Sequence, residues 1–101
     1  MAAKQHVEEK VKANKVAVFS KSYCPYCKKA KQALDTLIKG QYYIEELDEV
    51  PDGDSIQDAL LELTGGRSVP RVFIGGKFFG GGDDTVAALK NGKLAKLIAD
   101  A

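Results

Sequence analysis

The chain has 101 residues, with 15 lysines and arginines against 14 aspartates and glutamates and a formal net charge of +1. That length holds one domain, and a near-neutral balance with 45% apolar and 29% charged residues excludes a chain built to coat nucleic acid or an anionic membrane. No apolar run approaches the roughly 20 residues of a membrane span, and residues 1–10 lack an apolar signal core, so the expectation is a soluble, cytoplasmic monomer.

A first helix is predicted over residues 3–13, where Val7 and Val11 share a stripe with Ala3 and Ala13 nearby, and Asn14 ends it. Val16-Ala17-Val18-Phe19-Ser20 reads as a strand buried on both faces, because it is apolar without alternation. Pro25 suits the first position of a second helix, whose apolar stripe is Ala30, Ala33, Leu34, Leu37 and Ile38 and whose end is Gly40. A strand is predicted over residues 42–47 and an acidic loop over 48–54, with Glu45 to Asp54 read as a solvated stretch without a site. Asp54 or Ser55 is expected to cap a third helix running to Thr64 with Ile56, Ala59, Leu60 and Leu63 inward. Arg71 to Ile74 and Lys77 to Phe79 flank Gly75-Gly76, a hairpin signal. Asp83 and Asp84 open a fourth helix, and Leu94, Leu97 and Ile98 mark a fifth. A βαβ unit followed by a hairpin predicts an α/β fold with a four-stranded mixed sheet and helices on both faces.

The chain holds 2 cysteines, Cys24 and Cys27. Three residues apart, they close almost no loop, so a disulfide between them adds little stability and the pair points to chemistry or metal. Placed at the start of a helix, they share one face and meet free N–H groups and a positive partial charge, both of which favour a thiolate. Thiolate is the form that attacks disulfides. Cys24 is the expected nucleophile and Cys27 the more buried resolving thiol, with Lys21, Lys28, Lys29 and Lys31 adding positive charge nearby. A zinc site would need two more ligands, and the chain has no second pair and a single histidine, His6, read as an exposed helix residue. No metal is expected.

Cys24-Pro25-Tyr26-Cys27, Ser68-Val69-Pro70 and Gly80-Gly81-Gly82-Asp83-Asp84 together resemble a dithiol glutaredoxin of the thioredoxin fold, of the plant-like class. The likeness runs from Val16 to the last helix. It implies a glutathione-dependent thiol–disulfide oxidoreductase whose co-substrate is glutathione and whose partners are glutathionylated or disulfide-containing proteins. It also implies a cis bond before Pro70, which exposes the Val69 backbone to the cysteinyl unit of glutathione. Gly82 and Asp83 would offer helix N–H groups to the γ-glutamyl carboxylate, and Asp84 would meet the ammonium. Lys21, Gln57 and Arg67 are the candidates for the glycyl carboxylate, Ser68 stands where the family often has threonine, and Tyr26 flanks the sulfurs. Tyr23 is read as a packing residue beneath the loop. Gly82 departs from members with Cys or Ser, without loss if only the backbone acts there. Some relatives hold an iron–sulfur cluster between two chains, a mode that the rigid Pro25 is expected to disfavour.

Overall fold

The chain folds around β1 (Val16–Ser20), every residue of which is buried. In the computed structural model, which describes residues 2–101, this strand lies inside a four-stranded sheet of order β2-β1-β3-β4. β2 (Tyr43–Glu46) pairs with β1 in parallel, whereas β3 (Arg71–Ile74) pairs with β1, and β4 (Lys77–Gly80) with β3, in antiparallel fashion. The parallel pair is joined through α2 (Pro25–Ile38), as a βαβ unit requires. The β3–β4 turn is made by Gly75 and Gly76, both at positive φ (63° and 81°), which matches the twist of the flanking strands.

Two apolar layers explain why β1 shows no alternation. Val16 and Val18 pack with Ala30, Leu34, Val72, Ala88, Leu94 and Ile98, so α2, α4 (Gly82–Lys90) and α5 (Lys93–Asp100) cover one face. Ala17 and Phe19 pack with Val7, Val11, Ile56, Leu60 and Phe73, so α1 (Ala2–Ala13) and α3 (Gly53–Thr64) cover the other. Here Phe19 meets Tyr43 and Phe73 edge-on, and Phe73 meets Phe78, with centroids 5.6–6.3 Å apart. Such pairs add about 0.5–1.5 kcal/mol each beyond the area they bury.

The predicted order of elements holds. α3 opens earlier than its sequence suggests, at Gly53, and Asp52 makes no side-chain cap bond; Asp54 and Ser55 lie inside the helix. His6 also departs from the sequence reading. It is half-buried, and its Nε2 lies 2.6 Å from Oε1 of Glu45, a residue that β2 carries into the interior beneath α1. The Tyr43 hydroxyl donates to the same oxygen. A carboxylate this far from water needs such partners, so the acidic stretch begins inside the fold and is not all solvated loop.

Burial pushes the Tyr43 phenol well above its ordinary value, with Glu45 adding to the shift, and burial with Asp35 pushes Tyr42 up to about 12. The unfolded chain releases these protons near 10.0, whereas the fold retains them. Stability from both groups is therefore complete below that pH and is lost as pH rises through the folded values. Urea midpoints between pH 9 and 12, on the order of the range that spans both states, should fall steeply for the native chain and less steeply for Tyr43→Phe. Equal slopes would assign the alkaline loss to other groups.

Candidate active site

Because β1 is held on both faces, its C-terminal end delivers the following turn to a fixed place. The Cys24 N–H donates to the Lys21 carbonyl at 3.1 Å, and α2 starts at Pro25, which occupies the first helical turn where no N–H is needed. Cys24 is the N-cap, and its sulfur accepts the Cys27 N–H at 3.3 Å. A sulfur thus takes the place that a serine or aspartate oxygen fills in ordinary caps, and negative charge on it lies at the positive end of the helix. Beyond the turn, Asp48 accepts from the Ser22 N–H (2.9 Å) and the Ser22 hydroxyl. Those bonds, with Lys21 nearby, hold its carboxyl below the ordinary value.

The two sulfurs differ. Both cysteines are free; Cys24 is half-buried, whereas Cys27 is fully buried. Burial and the neighbouring Cys24 push the Cys27 thiol up to about 11. The outer sulfur therefore has both access and a backbone N–H donor, and the inner one stays protonated at neutral pH.

Facing Cys24 is the Val69–Pro70 peptide, which is cis. The Cys24 thiol donates to the Val69 carbonyl at 3.7 Å. A groove of about 410 Å³ opens here, lined by Tyr26, Ser68, Val69, Pro70, Arg71 and the 81–84 segment. Its far wall is the N-terminus of α4. There Asp84 reaches back to accept the Gly81 N–H at 3.0 Å, the reciprocal half of a capping box. Gly82 lies so close to α2 that a Cβ would stand 2.6 Å from the Tyr26 carbonyl. In this packing the position has no room for a side chain, which goes beyond the sequence reading that none was needed.

The structure therefore brings Tyr26, Ser68, Val69, Pro70, Gly82, Asp83 and Asp84 together beside Cys24. It does not bring Gln57 or Arg67 to the groove wall. Gln57 is buried and donates to the Arg67 carbonyl at 2.8 Å, fixing the approach to Ser68 from beneath. The Arg67 guanidinium pairs with Asp58 at 3.2 Å. Lys21 is half-buried next to the cysteine turn, and its ammonium has no acceptor among the described residues. The expected gathering of lysines is also looser, since Lys31 turns away to Glu46 (2.8 Å) and Lys29 lies over the Tyr26 ring. Tyr23 does not pack beneath the loop; it is 66% exposed. Arg71 is the wall residue that sequence reasoning passed over. Its Nε and Nη2 donate to the Ser68 carbonyl (2.8 Å) and hydroxyl (3.0 Å), and it stacks over Phe78. Its one sequence signal is its place directly after Pro70.

Removing the Asp84 carboxylate should free the Gly81 N–H and loosen the first turn of α4, by about 0.3–1.5 kcal/mol for a cap of this kind. Amide exchange at Gly81 is expected to speed up in Asp84→Ala and much less in Asp84→Asn, which keeps an acceptor. Unchanged exchange in the alanine variant would refute the cap.

The Glutaredoxin family model matches residues 16–79. Glutaredoxin-C8 of Oryza sativa subsp. japonica is 54% identical over 93 residues, 91% of this chain and 68% of that protein. Glutaredoxin-C4 of Arabidopsis thaliana is also 54% identical, over 92 residues, 91% of this chain and 67% of that one. Oxidized glutaredoxin 2 from Chlamydomonas reinhardtii superposes with a TM-score of 0.96 at 57% identity, covering 98% of this chain and 92% of the other. The buckwheat glutaredoxin–glutathione complex superposes with a TM-score of 0.91 at 44% identity, covering 98% and 89%. The thiol pair at a helix start and the cis peptide facing it thus sit in a sequence and a thioredoxin fold shared almost end to end, and the chain belongs to the glutaredoxin family.

Proposed function

We propose that the protein is a glutathione-dependent thiol–disulfide oxidoreductase, and that the groove beside Cys24 holds the glutathionyl half of its substrate. The observation that carries this reading is the accessible N-cap sulfur set opposite the cis Val69–Pro70 backbone, with a second helix N-terminus closing the groove. A glutathione-bound relative of the same fold supports it.

Glutathione presents two carboxylates, an ammonium and peptide groups. The Val69 N–H and C=O suit its cysteinyl backbone, as one short strand pairs with another. Once Cys24 ionises, its S–H no longer engages the Val69 carbonyl, which is then available to the ligand's N–H. The start of α4 at Gly82 and Asp83 directs free N–H groups at the γ-glutamyl carboxylate. Asp84 has a second oxygen for the ammonium beside the one held by Gly81. At the other end, Lys21, beside the cysteine turn, is the cation for the glycyl carboxylate, whereas Gln57 and Arg67 act there by shaping the loop that presents Ser68 and Val69.

The chemistry is thiolate exchange. Cys24 thiolate attacks the glutathione sulfur of a mixed disulfide. A Cys24–glutathione bond forms, the original S–S bond breaks, and the protein or small-molecule thiolate departs with the electron pair. A second glutathione thiolate attacks that adduct, releasing glutathione disulfide and restoring Cys24. On protein disulfides, Cys24 bonds to the target and Cys27 resolves the adduct.

Reduction of a small glutathione mixed disulfide, followed with glutathione as reductant and separately with thioredoxin reductase as electron source, tests the reading. Glutathione should support turnover and the reductase should not. Cys24→Ser is expected to abolish activity; Cys27→Ser should keep mixed-disulfide reduction and lose the reduction of protein disulfides. Activity surviving in Cys24→Ser would overturn the assignment.

A further inference from the structure

A ligand that pairs with Val69 needs the Val69 N–H to face it, and that N–H has no partner among the described residues. The peptide that carries it is held from its other side. Arg71 opens β3 and stands opposite Phe19 in the antiparallel register, so its backbone is fixed to the strand that delivers the cysteine turn. Its side chain folds back over the loop before it. Nε donates to the Ser68 carbonyl at 2.8 Å and Nη2 to the Ser68 hydroxyl at 3.0 Å. The guanidinium lies over the Phe78 ring, 5.1 Å from its centroid. Beside it is Gly66, where a Cβ would stand 2.0 Å from Nη2. Arg71 forms no ion pair among the described residues, so no carboxylate draws the fork away from Ser68.

We propose that Arg71 is a positioning residue for glutathione, which acts through the Ser68–Val69 peptide to turn the Val69 N–H into the groove. The inference rests on the groove beside Cys24 being the glutathionyl site. The Ser68–Val69 bond is trans, and across a trans peptide the carbonyl and the following N–H point in opposite directions. A guanidinium that holds the Ser68 carbonyl therefore fixes the Val69 N–H on the opposite side. That side is the groove. Proline at the next position keeps Val69 extended, and in an extended residue the N–H and C=O leave together. The Val69 carbonyl already faces Cys24, 3.7 Å from Sγ.

The task suits arginine in particular. A single N–H would leave the guanidinium free to swing about the carbonyl. The second bond, to the hydroxyl, stops that swing, and the Phe78 ring stops it tilting. A lysine ammonium has the charge without the planar fork. Both bonds are charge-assisted, and such bonds are roughly twice as strong as neutral ones. Gly66 is the complement of the fork, since its missing side chain leaves the space that Nη2 fills. Both bonds go to Ser68, so Arg71 acts through the loop and touches no reacting atom.

The test compares two disulfides in the full chain carrying Cys27→Ser. There the Cys24 thiolate bonds to one sulfur, the S–S bond breaks, the other half leaves as thiolate, and one stable adduct remains. Mass spectrometry of acid-quenched samples counts that adduct. Glutathione disulfide has a peptide to pair with Val69; bis(2-hydroxyethyl) disulfide has none. The ratio of the two rate constants, taken relative to the same ratio for free cysteine, is the glutathione preference. Arg71→Met keeps an apolar stem over Phe78 but has no donor, and it should lower that preference at least about fivefold, the loss expected for a misaligned hydrogen bond. Gly66→Ala should lower it as well, because the added methyl displaces the fork while the charge stays. An unchanged preference in Arg71→Met would overturn the inference. So would an equal fall in both rates, which would mean that Arg71 serves only the fold around the cysteines. Native preference in Gly66→Ala would also overturn it, since charge would then act without the fork. No preference in the chain carrying Cys27→Ser alone would instead overturn the glutathionyl reading of the groove, and the inference with it.

Discussion

The 3.3 Å contact between the Cys27 N–H and the Cys24 sulfur determines how the rest of the site is arranged. It exists because a helix begins where a fully buried strand ends. β1 has no solvent face, so it has no freedom to slide or tilt, and the four residues after it must place a sulfur at the N-cap of α2. Proline at the next position fixes the helical start without wasting a donor. The opposite wall is set by the same logic. α4 packs against α2 so closely that Gly82 lies under the Tyr26 carbonyl, which brings a second helix N-terminus to the first. Two positive helix ends and one carbonyl-bearing cis peptide then converge on a single groove.

The two cysteines share a motif and a helix, yet their surroundings drive them apart. Cys24 has a backbone donor and an open side; Cys27 is fully buried and has none of that access. Burial is the larger influence on Cys27, and it favours the neutral thiol. An inner thiol that remains protonated does not compete for substrate, which leaves the outer one free to carry the monothiol exchange. The cost of that separation falls on the resolving step alone.

Most of the fold was legible in the sequence because its signals are local. Apolar runs without alternation meant a sheet covered on both faces, and Pro25, Gly75-Gly76 and Pro70 punctuated the chain where the structure turns. The cysteine pair was legible for the same reason. What escaped was set by register and packing between distant segments. Nothing near His6 in sequence indicates that α1 will lay it on Glu45, 39 residues away. Gln57 reads as a candidate for the glycyl carboxylate, but α3 turns it inward to the Arg67 carbonyl. Arg71 reads as a strand-opening residue, and only the bend at Pro70 brings its guanidinium back onto Ser68. The Ser20–Glu46 contact follows from a parallel register that no local pattern encodes.

The net charge of +1 conceals a sorting of carboxylates by task. Glu45 is held between His6 and Tyr43 under α1, Glu46 between Ser20 and Lys31, Asp48 by Ser22, and one oxygen of Asp84 by Gly81. Each is engaged in positioning backbone or strand ends. What remains free toward the groove is sparse: the exposed Asp83, the second oxygen of Asp84, and the helix N–H groups beside them. That combination places one negative side chain next to a set of backbone donors within a few residues. It suits the α-amino acid end of a γ-glutamyl group, in which an ammonium and a carboxylate share one carbon. A purely anionic ligand would meet Asp83 and Asp84 as repulsion, and a purely cationic one would leave the α4 donors without an acceptor. The sorting of charge therefore favours a zwitterion at this end of the groove.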